Sequence, residues 1–283
     1  MATHTQQLLN PTPDSGYDAL HVAIPVTPIV VGGGHAIPAT MFTPRRVSGA
    51  WVLLICGAGD NRFAFKHVLI RALLARGLGV VSMDPPGHGE HMHTPTTYAT
   101  VRHAARAASN WLHAQPGVRR VGALGISFGG CQAAGLTVDD ARIAAMAPIA
   151  SPVRLEPVTE WKRWREGLQL LQPRNIGLLR YSSPRQILAE WFSIGGARFG
   201  ESLYDMIARF DMERTIATLG ARPTLFVHGT ADIAVPPINA RKLYSAAQPD
   251  KQLLLVSQAS HISVVLYRTE MEQVAAWFLE NLS

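Results

Sequence analysis

The sequence predicts an α/β fold: a mostly parallel central sheet of about eight strands, helices on both faces, and a helical cap inserted before the late strands. Three observations predict it. Short apolar runs recur without alternation, the pattern of strands buried on both faces of a parallel sheet. Between them lie segments with apolar residues at helical spacing. One long stretch, residues 151–215, breaks the alternation and carries no strand pattern.

Residues 1–17 are polar, contain Pro11, Pro13 and Gly16, and read as a loose arm. Val22–Val31 and Ala36–Phe42 are strand-like and joined through Gly32, Gly33 and Gly34, a hairpin signal. Trp51–Cys56, Leu78–Met83, Val118–Ile126, Ile143–Ile149, Thr224–Val227 and Gln252–Val256 are continuous apolar strands. Phe65, Val68, Leu69, Ala72 and Leu73 form one helical stripe. Val101, Ala104, Ala105, Ala108 and Leu112 form a second, and Val264 to Leu279 a third. The core is thus expected over residues 18–150 and 216–283. The 151–215 segment carries Trp161, Trp164, Trp191, Phe192, Phe199, Tyr204 and Phe210, and Pro173 and Pro184 divide it into several helices. It is expected to act as a lid, with most of its aromatics packing it onto the sheet.

Composition narrows the class. With 47% apolar and 16% charged residues, the 283-residue chain is no disordered polymer and can bury a large core. Its 24 Gly and 19 Pro follow no collagen-like period. No run of eighteen apolar residues occurs, so no stable membrane insertion is expected. The apolar stretch from Leu20 to Val31 is interrupted by Pro25 and Pro28 and follows no basic run, unlike a secretory signal. Two cysteines, Cys56 and Cys131, cannot make a disulfide framework and suit a reducing compartment, so a cytoplasmic location is expected. The net charge of +6 is concentrated in residues 51–125, where eight basic side chains face three acidic ones. They are spread over presumed helix surfaces and form no run, so a solvated face is expected and no nucleic-acid partner.

The strongest local signal is Gly125-Ile126-Ser127-Phe128-Gly129, between an apolar strand and the small-residue helix Cys131–Leu136. A strand–turn–helix context is what G-x-S-x-G needs to present a nucleophile. The chain reverses so sharply that the serine is strained and its neighbours two residues away must lack side chains. The hydroxyl then stands clear of the sheet, at a helix N-terminus whose dipole favours developing negative charge.

From about Asp18 to Ser283 the chain resembles the α/β-hydrolase superfamily, in particular serine hydrolases with a helical lid, of the esterase or lysophospholipase type. The resemblance is carried by Cys56-Gly57-Ala58-Gly59, by Asp84-Pro85-Pro86-Gly87-His88-Gly89-Glu90, by Gly125–Gly129, and by later Asp and His segments in the family's order. In that fold the order is nucleophile, acid, base. The acid lies beyond a late strand, and Thr224–Val227 leads through His228-Gly229-Thr230-Ala231 to Asp232. The base follows the next strand, and Leu253–Val256 leads to Ser260-His261, with a helix over Pro236–Ala247 filling the gap. The resemblance therefore implies Ser127, Asp232 and His261 as a catalytic triad.

Other candidates are weaker. His228, where the strand ends, is expected to bond or pack under the acid loop. His88 lies in a structural turn, and Asp84 supports that turn in the family. His91 and His93 have a metal-like spacing but no third or fourth ligand follows, so no metal is expected. Asp60 could cap the next helix or face the site entrance. Asp139 and Asp140 sit in a polar link, and both cysteines read as buried fillers.

An oxyanion needs two preorganised donors, expected from the backbone amides of Phe128 and Ala58. Cys56 replaces the family's commoner His before Gly57, which leaves the amide in place. The expected chemistry is acyl transfer to water without metal or organic cofactor, on small to medium apolar acyl or aryl esters. Thioesters, lactones, amides and ketone-adjacent carbon–carbon bonds are open to the same triad, as is a ligand receptor with residual hydrolysis. Serine at the elbow disfavours the epoxide opening and halide displacement that family members perform with a carboxylate. Monomer and homodimer are both compatible with the sequence.

Overall fold

The computed structural model describes residues 17–24, 36–63, 66–155 and 196–283. Their strands are β1 (Tyr17–Ile24), β2 (Ile37–Pro44), β3 (Ala50–Ile55), β4 (Gly79–Met83), β5 (Arg120–Ile126), β6 (Ile143–Ile149), β7 (Thr224–Gly229) and β8 (Lys251–Val256). They form one eight-stranded sheet in the order β1-β2-β4-β3-β5-β6-β7-β8. The β1–β2 and β2–β4 pairs are antiparallel and every later pair is parallel. Strands β3 and β4 are buried along their whole length, as expected for parallel strands covered on both faces.

Two apolar layers cover the sheet. One is built from α1 (Arg71–Ala75), which continues a π-helical turn over Lys66–Ile70, and from α7 (Arg268–Leu282). The other is built from α2 (Tyr98–His113), α3 (Phe128–Asp139), α4 (Leu203–Phe210) and α5 (Met212–Ala217), with Leu243 of α6 (Ile238–Ala246). Helix α2 starts at a reciprocal cap in which Thr97 and Thr100 exchange side-chain bonds with each other's amides. Helix α3 is small and buried over most of its surface, so packing rather than amphipathicity holds it. Its C-terminal end meets Arg102 and Arg106 of α2 at Asp139, which favours the negative end of the helix dipole.

Several sequence expectations are shifted. The first strand begins at Tyr17, the last residue assigned to the arm, and is paired from Tyr17 to Ile24. As an edge strand it exposes Asp18 and Leu20 and needs no continuous apolar run. The expected strand residues after Ile24 and the Gly32–Gly34 turn lie outside the described residues. The expected C-terminal helix is divided into a 3-10 turn at Ser263–Leu266 and α7, with Tyr267 between.

Arg62 is not the surface charge that composition suggested. It is buried, bonded to the fully buried Asp84 and paired with Glu90 at 2.9 Å. Asp84 also accepts the amides of Arg62 at 2.7 Å and Glu90 at 2.9 Å, so it ties the loop after β3 to the loop after β4. Burial pushes its carboxyl above the ordinary range, and Arg62 opposes that shift.

Most of the expected lid, including Trp161, Trp164, Trp191 and Phe192, lies outside the described residues. Its last part does not stand apart from the sheet. Phe210 of α4 is buried with its ring 6.0 Å from Phe128 and 4.9 Å from Tyr98. Phe199 and Tyr204 are exposed.

Candidate active site

Parallel strands end on one side of the sheet, and the loops after β3, β5, β7 and β8 meet there. Ser127 occupies the turn between β5 and α3 with φ 53° and ψ −120°, a region costly for a residue with a side chain. Its amide donates to Ile149 O at 2.8 Å, and its carbonyl accepts from the Gly130 amide at 3.0 Å. A Cβ on Gly125 would lie 2.1 Å from Gly129 O, and one on Gly129 would lie 2.2 Å from Ile55 O. Those backbones touch because the chain folds back over β3 and β5. The two glycines of the motif are therefore a steric requirement of the turn.

His261 faces Ser127 from the loop after β8. Its Nε2 is 3.0 Å from Ser127 Oγ, and its Nδ1 is 2.8 Å from Asp232 Oδ2. The Nδ1–H donates to the carboxylate, which leaves Nε2 to accept the serine proton. A hydroxyl bonded to an imidazole that a carboxylate orients is an arrangement able to turn an alcohol into a nucleophile. The structure thus brings together the three residues that the sequence selected from segments far apart in the chain.

Asp232 has no exposed side-chain surface. Its Oδ1 accepts the Val235 amide at 2.7 Å, and its Oδ2 is also 3.1 Å from His228 Nε2. Burial pushes the carboxyl up, but the imidazoles of His261 and His228 outweigh that and hold it below its ordinary value. The His261 turn is clamped by Ser260 and Ser263. The Ser260 amide donates to Ser263 Oγ at 2.9 Å, and the Ser263 amide to Ser260 Oγ at 3.2 Å. Sequence reasoning missed this clamp, although S-x-x-S is a variant of the reciprocal cap. It also missed the Val235 bond, whose signal is an aspartate able to bond the backbone ahead of it.

The loop after β3 runs beside the serine. A Cβ on Gly57 would lie 3.4 Å from Ser127 Cβ and 2.9 Å from Asp60 Oδ2. The neighbouring Ala58 thus belongs to a segment in contact with the elbow, and Phe128 is the first residue of α3. Asp60 turns back on this loop, its amide donating to Gly57 O at 3.3 Å.

The remaining candidates lie elsewhere. His88 is buried with Nδ1 2.8 Å from Pro86 O, and His91 Nδ1 is 3.1 Å from Asp84 O. Asp140 is bonded to Arg142 and Ser109. Burial pushes both thiols well above their ordinary range, which disfavours the thiolate. Among the described residues no group of three or more His, Cys, Asp or Glu is arranged to hold a metal, and no helix is long and apolar enough to cross a membrane.

Comparison with known proteins agrees with this architecture. The model of the alpha/beta hydrolase family matches residues 52–277. The uncharacterized protein YfhR of Salmonella typhi is 32% identical over 89 residues, covering 29% of this chain and only 30% of that protein. Among solved structures, hypothetical protein PA2218 from Pseudomonas aeruginosa superposes with a TM-score of 0.69 at 20% identity, covering 98% of each chain. The esterase domain of a Rhodothermus marinus protein superposes with a TM-score of 0.64 at 19% identity, covering 94% of this chain and 99% of that one. At these identities the superpositions establish the fold.

Proposed function

The chain belongs to the alpha/beta hydrolase family, and on that premise we propose that it is a serine hydrolase cleaving carboxylic esters of small to medium apolar acyl or aryl substrates. The observation that carries the proposal is the continuous hydrogen-bonded line from Asp232 through His261 to Ser127. Ser127 Oγ attacks the ester carbonyl while His261 Nε2 takes its proton. The tetrahedral oxyanion is held by the amides of Ala58 and Phe128, and loss of one such donor costs ~2.7–4 kcal/mol of barrier. His261 passes the proton to the departing alcohol oxygen as the carbon–oxygen bond breaks, leaving an acyl-serine. Water, deprotonated by the same nitrogen, attacks the acyl group, and the proton returns to Ser127 as the acid leaves. Asp232 stays ionised throughout, which its two imidazole neighbours favour.

No step draws on a metal or organic cofactor. The 151–215 segment is assigned as a lid in the same proposal. Its described end returns to the core against Phe128, the residue after the nucleophile, which suits a cover over the acyl site. The two buried free thiols suit the cytoplasmic setting assigned here. An ester panel of varied acyl length, with Ser127→Ala as blank, tests the proposal. Hydrolysis confined to the parent protein is expected, and equal rates in the two would overturn it.

A further inference from the structure

His228, the last residue but one of β7, is fully buried. Its Nε2 lies 2.7 Å from Val235 O and 3.1 Å from Asp232 Oδ2. Both are acceptors, so Nε2 carries the ring proton and shares it between them. Its Nδ1 is buried and has no partner among the described residues. A leucine or phenylalanine would fill this apolar strand without leaving an orphan nitrogen, a cost that packing does not explain. Val235 closes the unit, since its carbonyl accepts from His228 and its amide donates to the other carboxylate oxygen. Oδ2 of Asp232 therefore receives two imidazole N–H groups, one from His261 and one from His228.

We propose that His228 is a positioning residue that, by sharing the carboxylate oxygen bonded to His261, fixes the acid loop and sets the proton affinity of the Asp232–His261 pair. This rests on the serine-hydrolase assignment above. Among the described residues, the charged and titratable groups that act on the carboxylate are His228, from β7, and His261, from the loop after β8. The His228 N–H places the positive end of its dipole on Oδ2 and draws charge away from His261. Removing it concentrates the carboxylate charge on the His261 ring, and the base then holds its proton to higher pH.

The test is the pH dependence of Ser127 labelling by a fluorophosphonate, with Ser127→Ala as blank and urea midpoints recorded for every variant. In His228→Leu the acid limb is expected to move up by about 0.5 pH unit, which lowers labelling on the acid side about threefold. His228→Gln, whose amide reaches the same oxygen, is expected to return the limb towards the parent position. A limb that stays in place in His228→Leu while the urea midpoint falls would assign the ring to packing and overturn the proposal. Should His228→Leu not fold, His228→Asn, too short to reach Oδ2, replaces it, and limbs coinciding in the Asn and Gln variants overturn the proposal. Absence of labelling in the parent protein would remove the hydrolase assignment and this inference together. Labelling with an unmoved limb removes the inference alone.

Discussion

Replacing Gly125 by alanine sets a methyl carbon 2.1 Å from Gly129 O and 2.4 Å from Gly129 C. Relief to an ordinary contact needs a displacement of about 1 Å or more. The obstacle is backbone on the far side of the serine turn, so no rotamer change can supply it, and the turn itself must open. A cost of about 3 kcal/mol or more is expected, at the top of the range for overpacking. A shift of about 1 Å between Ser127 and His261 would also lower ester turnover by about a hundredfold. Gly196 is the control. It is exposed, no described residue lies within 4 Å of a Cβ built on it, and Gly196→Ala is expected to stay within about 0.5 kcal/mol of the parent. Urea midpoints give the stabilities, and initial rates on one ester give the turnover. Coincident midpoints for the two variants would refute the steric account of the elbow.

Asp232→Asn keeps the shape of the acid but no longer fixes the His261 tautomer, and kcat on the ester panel is expected to fall by ~10⁴ with the fold retained. A fall of less than tenfold would remove Asp232 from the mechanism. The Arg142 side chain, bonded to Asp140, holds that carboxyl well below the usual carboxylate range. Its stabilisation is therefore complete above the unfolded value of about 3.9 and is lost as pH falls towards the depressed folded value. Urea midpoints at pH 6 and pH 3 are expected to differ less in Arg142→Met than in the parent, and an equal gap would contradict the assignment. Phe210→Ala removes a buried ring between Phe128 and Tyr98 and is expected to cost ~3–5 kcal/mol by urea unfolding. A cost below about 1 kcal/mol would place α4 outside the core.

The parallel part of the sheet was legible because burial on both faces leaves a simple trace. Ala50–Ile55 is apolar throughout and buried throughout. Tyr17–Ile24 was placed too late because an edge strand with exposed Asp18 and Leu20 lacks that trace, and apolar density drew attention to the residues beyond it. Ser127, Asp232 and His261 could be selected because each follows a strand in the order that the fold imposes. Their distances could not, since these depend on strand order in the sheet. The burial of Arg62 was invisible for a related reason. Nothing beside it in the chain marks it as internal, and its partners Asp84 and Glu90 arrive from the end of another strand. His228 was expected to bond under the acid loop, but which atom it would touch depends on how the turn to Val235 closes.

Ser127 and the ring beside it are 134 positions apart. At ribosomal rates of about 5–20 residues per second, a growing polypeptide carries its serine for roughly 7–27 s before His261 is even made. During that interval the hydroxyl lacks the base that the proposed mechanism gives it. On the same proposal, a product that stops short of position 261 carries no base for the serine. On the proposed mechanism, activation of Ser127 thus waits until the loop after β8 has been made and has docked.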